Sequence, residues 1–171
     1  MAIDQGGLAI SLAECKAYLR LERDDEDAVL AGLIRTATGL CEAFIGQWLM
    51  ARETEQRLSC SAEWQLLRAV PVVTVLAVRD GETVLPAEAF DVDIAVSGES
   101  WVRLMGAGLT APVVRYRAGL AESWNEVPDP LRQGLVRLVA HLFSHRDAAD
   151  AGPPPTAVVA MWRPWRRMRL G

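Results

Sequence analysis

Three cysteines, Cys15, Cys41 and Cys60, stand far apart and form no CxxC pair. Neither a zinc site nor a complete disulfide framework is suggested, and buried reduced thiols are the reading. Met1 leads into AIDQGGLAIS with no basic segment and no long apolar run, which predicts no signal peptide, no membrane span and a soluble protein made in the cytoplasm. Only two histidines are present, His141 and His145. They lie four apart, as metal ligands on one helix do, but the Glu of an HExxH site is missing, and a final helical turn suits simple carbonyl and dipole contacts. Gly106-Ala107-Gly108 lacks the Lys and Ser or Thr of a phosphate loop and reads as a turn. No G-x-S-x-G elbow occurs. Asp91 and Asp93 would share one strand face, but no partner base accompanies them, so they read as solvated acids that discourage edge pairing. These absences predict a protein that is not an enzyme, with no catalytic residue, metal or cofactor.

What is present is an apolar fraction of 51% in 171 residues, ample for one sizeable core. The formal charge of −4 is unevenly placed: residues 151–171 hold four Arg and no acid, leaving −8 on residues 1–150. An acidic body argues against bulk nucleic-acid binding, which needs cations to neutralise phosphates.

The clearest element is VPDPLRQGLVRLVAHLFSHR. Asp129 can cap the first amides, Pro130 suits a first helical position, and the predicted helix runs over 129–146. Leu131, Leu135, Leu138, Val139 and Leu142 form a stripe that Val136, Ala140 and Phe143 widen, so this helix must be buried on more than one side. Ser11 and Glu14 make a capping box for a helix over 11–21. The acids Asp24, Asp25, Glu26 and Asp27 suit the positive end of a second helix over 25–45, which Gly46 ends as a left-handed cap. Between them, residues 48–118 change to short Val- and aromatic-rich segments with turn signals, and Asp80-Gly81 marks a hairpin. The expectation is an α+β fold: a bundle of two N-terminal helices and a long C-terminal helix, with a small antiparallel β-rich portion between. Residues 1–150 form one domain, and 151–171 form a Pro-rich hinge with an extended basic tail.

The tail mixes Trp162, Arg163, Trp165, Arg166, Arg167 and Arg169, residue types that dominate protein interfaces. The same mixture can neutralise phosphates and stack on bases, so a short single-strand-binding arm is the chemical rival. Thr156 to Met161 allows one or two helical turns, closed by Pro164.

SLAECKAYLRLERDDEDAVLAGLI, EAFIGQWL, PVVTVLAVRDG, VVRYRAGL, VPDPLRQGLVRLVAHLFSHRD and the late PTAVVAMWRPWR, in this order, resemble the head-tail connector family of tailed phages, also called adaptor or head-completion proteins and found in gene transfer agents. The resemblance covers roughly Ser11 to Leu170 and implies a structural protein of the virion neck. It implies a homo-oligomeric ring, commonly of twelve subunits, between the capsid portal and a stopper or tail-completion protein, with double-stranded DNA passing through. It also implies that the C-terminal segment docks on the portal: Val158, Val159, Met161, Trp162, Arg163, Trp165, Arg166, Arg167 and Arg169. The wide helix face, Leu135, Val136, Leu138, Val139, Leu142 and Phe143, is then expected to carry ring contacts, since each subunit of a closed ring presents two different surfaces to its neighbours. No membrane is implied.

Overall fold

The computed structural model describes residues 9–106, 108–146 and 153–167. It contains four α-helices, α1 (Leu12–Leu19), α2 (Asp27–Ile45), α3 (Asp129–Ser144) and α4 (Thr156–Trp162), and seven strands. The strands are β1 (Arg52–Arg57), β2 (Gln65–Leu66), β3 (Val72–Asp80), β4 (Thr83–Val84), β5 (Phe90–Ile94), β6 (Ser100–Leu104) and β7 (Pro112–Ala118). The class is α+β. The chain divides into two compact units: a helical one built from both ends, residues 1–49 and 123–171, and a β-rich one, residues 50–122. The tail therefore groups with the N-terminal helices, and no unit boundary falls at 150.

In the helical unit, α3 packs against α1, α2 and α4. Leu131, Leu135, Leu138 and Val139 of α3 meet a core that includes Leu30, Ile34, Cys41 and Ile45 of α2 and Cys15 of α1, all buried. Start signals act differently from their sequence pattern. Ser11 makes no side-chain cap, and Glu14, expected to reach back to it, accepts instead from the Trp124 indole N–H. A direct charge-assisted bond to a partner far along the chain replaces the local box. α3 begins one residue early, with Pro128 as cap, Asp129 as first helical residue and Pro130 second; Asp129 pairs with Arg132 at 3.0 Å. Pro130 still costs nothing there, because the first four amides have no partner within the helix. The acids before α2 are held by cations: Lys16 binds Asp24 and, at 2.9 Å, Asp27, while Arg146 reaches Glu26 at 2.7 Å. Gly46 closes α2 at φ +69°, the left-handed cap its sequence position foretold.

The β-rich unit holds two antiparallel sheets, one ordered β1-β7-β3-β4 and one ordered β2-β6-β5. Alternate residues of β7, Val114, Tyr116 and Ala118, point into its core, joined by Val78 of β3 and Val102 and Leu104 of β6. Buried Tyr116 accepts the Ala69 amide at 3.1 Å, and burial pushes its phenol above the usual range. The hairpin forms between β3 and β4 with Asp80 paired to Thr83, so Gly81 and Glu82 make its two-residue loop and Gly81 supplies φ +58°. β5, with Asp91 and Asp93, is an edge strand.

One further expectation is corrected. Cys15 and Cys41 are buried, but Cys60 is exposed, because it lies in the loop after β1 and outside either core. By length and composition alone α2 is apolar enough to cross a membrane, but its Leu30, Ile34, Ala37 and Cys41 stripe is packed in the helical unit, as in a core helix.

Candidate assembly surfaces

The two features left unexplained by the sequence, an over-wide face on α3 and a Trp-rich tail, explain each other. Pro155 caps α4, which folds back on α3 and α2. Val158 and Trp162 are fully buried. The Trp162 ring lies 6.1 Å from that of Phe44 at 50°, and its indole N–H donates to the Leu131 carbonyl at 3.4 Å. The site exists because residue 134 is glycine: a Cβ there would stand 2.1 Å from Trp162 Nε1. A short 3-10 turn, Arg163–Trp165, follows and is pinned to the end of α2, where Gln47 donates to the Trp165 carbonyl at 2.8 Å and the Arg167 amide to the Ile45 carbonyl at 2.9 Å.

This arrangement redistributes the predicted tail residues. Val158 and Trp162 are core residues of their own unit rather than exposed anchors, because a buried indole gains more from packing and a carbonyl partner than from solvent. Val159, Met161, Trp165 and Arg167 are half-buried, and Arg163 and Arg166 are exposed, with the Arg166 guanidinium 5.7 Å from the centre of the Phe44 ring. Arg169 lies outside the described residues. The segment forms the helical turns expected from Thr156, over Thr156–Trp162, but packs against α3 and α2 where an extended tail was expected.

The expected ring residues are redistributed in the same way. Leu135, Val136, Leu138 and Val139 are buried within the chain, and Leu142 and Phe143 are half-buried, with Arg146 stacked on Phe143 at 4.4 Å. The face is wide because one chain covers it from several sides, so its width is no sign of a neighbouring subunit.

Among the described residues no arrangement of chemical groups resembles a catalytic centre. The His141 and His145 rings stack at 4.3 Å, and His145 Nδ1 lies 2.8 Å from the His141 carbonyl. Among the described residues no three His, Cys, Asp or Glu side chains gather as metal ligands would. Asp91 pairs with Arg103 at 2.5 Å. Burial pushes the Cys15 thiol up to about 12 and raises that of Cys41 further, so neither is a ready nucleophile.

The chain is similar over nearly its whole length to solved structures of particle necks. It aligns with a chain in the neck of an empty gene transfer agent (GTA) particle computed with C6 symmetry, at 26% identity and a TM-score of 0.77, covering 99% of this chain and 95% of that one. The chain belongs in the neck of such a particle, and the likeness supports its resemblance to head-tail connectors. A second chain, from the virion of a native GTA particle, matches at 26% identity and TM-score 0.75, again with 99% and 95% coverage. A third, from a native GTA neck computed with C12 symmetry, shares the fold at 24% identity, TM-score 0.75 and coverage of 99% and 94%. No protein-family model and no curated protein matches the chain. Like these neighbours, the chain is a structural neck component and not an enzyme.

Proposed function

We propose that the chain is one subunit of a homo-oligomeric ring in the neck of a gene transfer agent or a phage, lying between the capsid portal and a stopper or tail-completion protein. The observation that carries this reading is the end-to-end likeness at 26% identity to chains of GTA particles, one of them from a particle neck. The C6 and C12 symmetries of those necks are both compatible with twelve subunits. DNA passes through the centre of such a ring, and an acidic body would keep the strand from adhering to the wall.

The C-terminal segment is the proposed portal contact. Its exposed part, Arg163 and Arg166 beside half-buried Trp165, offers charge and aromatic surface on a turn held in place by Val158 and Trp162 beneath it. A rigid contact loses less conformational entropy on docking than a free tail. The rival reading, a nucleic-acid arm, is disfavoured by the burial of Trp162, which removes one of its two stacking rings.

The test is electron microscopy of particles purified with and without the protein, together with the protein mixed with its portal. Ring density under the portal that is absent from particles lacking the protein is the expected result. Density elsewhere, or none, overturns the proposal.

A further inference from the structure

Two exposed faces of the chain remain without a partner. The first is on α2. Its outer side carries Val29 and Leu40, 47% and 43% exposed, with Gly32 and Gly39 between them, where an added Cβ would meet nothing within 4 Å. Thr36 lies on the same side but turns its hydroxyl back to the Gly32 carbonyl at 3.1 Å, so it presents mainly its methyl. Arg35 on this side is exposed and without an ion-pair partner among the described residues, while Glu42, two turns on, is half-buried and accepts the Leu49 amide at 2.9 Å. A helix apolar all round is ordinarily covered all round; here the chain itself covers only the inner side.

The second face is on the outer side of the three-stranded sheet. Pairing of Leu66 with Trp101 and of Trp101 with Asp93 sets these three in a row across β2, β6 and β5. Trp64, 43% exposed, flanks the row, and together with Asp93 and Trp101 it lines a shallow cavity of about 280 Å³. The neighbouring row is already neutral: Arg103 pairs with Asp91 and lies 4.8 Å from the centre of the Trp64 ring. Asp93 is left with no ion-pair partner among the described residues.

One face is aliphatic with a single guanidinium; the other is aromatic with a single uncompensated carboxylate. A guanidinium is planar and weakly hydrated, stacks on indoles and pairs with carboxylates, which is the chemistry the cavity offers. Subunits of a cyclic ring meet through two different, mutually complementary patches, so one chain must carry both. We propose that the outer face of α2 docks on the outer face of the β2-β6-β5 sheet of a second copy, with Arg35 entering the cavity between Trp64 and Trp101 to meet Asp93. This rests on the ring reading above and names the surfaces that close the ring.

The experiment is charge reversal scored in purified particles. Arg35→Glu and Asp93→Arg should each lower neck occupancy by about tenfold, and the double reversal should restore it, because the pair attracts again with its signs exchanged. Both side chains are on the surface, so each variant's thermal midpoint should stay close to that of the unaltered protein. If a variant nonetheless fails to fold, the neutral Arg35→Met and Asp93→Asn replacements are scored instead, and equal losses alone and together, with no further loss on combination, are then the expected result. Full occupancy by either single variant overturns the proposal, as does a double reversal that stays unassembled. Failure of the unaltered protein to enter the neck would instead sink the ring reading itself.

Discussion

Trp162 fills the space that Gly134 leaves on α3, with its Nε1 only 2.1 Å from where a Cβ at 134 would stand. The notch and the ring form one joint between α3 and α4. Gly134→Ala should force the indole or the helix aside and lower stability by about 1–3 kcal/mol, despite alanine's better helix propensity. Trp162→Ala empties the same joint and should cost about 3–5 kcal/mol. Urea unfolding of both variants and of the pair checks this. The double variant should lose no more than Trp162→Ala alone, since without the indole nothing crowds the new methyl.

The same joint means that the C-terminal segment cannot be tested by deletion. Removing residues 157–171 strips α4 from α3, including Trp162 over Gly134 and its bond to the Leu131 carbonyl, as well as removing a docking surface. Arg163→Glu with Arg166→Glu leaves the joint intact, and the change in stability should stay within about 0.5 kcal/mol, as for most surface substitutions. Portal binding, measured by co-sedimentation, should fall sharply. Undiminished binding would show that these arginines are not the contact.

Asp80 gives the β-rich unit an acid-sensitive point. Its carboxylate accepts the Ala111 amide at 2.6 Å and the Thr110 amide at 3.1 Å, and these bonds hold its pKa below the ordinary carboxylate range. A depressed folded-state pKa contributes stability that is present above the unfolded value and lost as pH falls through the folded one. Denaturation midpoints followed from neutral pH into the acid range should therefore fall for the unaltered protein. Asp80→Asn should start lower and fall less. The Asp24 and Lys16 pair adds a loss of the same sign, since Lys16 depresses the Asp24 carboxyl.

Thiol chemistry should separate the cysteines cleanly. Cys60 is exposed while Cys15 and Cys41 are buried with raised pKa values. A chromogenic disulfide reagent at mildly alkaline pH should titrate one thiol rapidly in the native protein, and all three after denaturation. Rapid reaction of a second thiol in the native state would show that the helical core opens.

The periodic elements were legible from the residues alone. The stripes of α2 and α3, the left-handed cap at Gly46, the Asp80-Gly81 hairpin and the edge position of Asp91 and Asp93 all follow from local spacing and turn chemistry, because each depends on neighbours a few positions away. The order of segments carried the likeness to neck connectors as well. What the sequence could not disclose was the use of each surface. The width of the α3 face and the weight of aromatic residues in the tail were both visible, and both read as surfaces awaiting partners. The pairing of Trp162 with Gly134 made them partners of each other, just as Trp124 drew Glu14 away from its capping box. Local patterns fix what a segment can form; which apolar face is left over for another subunit depends on which faces the chain covers with its own distant residues, and only tertiary packing decides that.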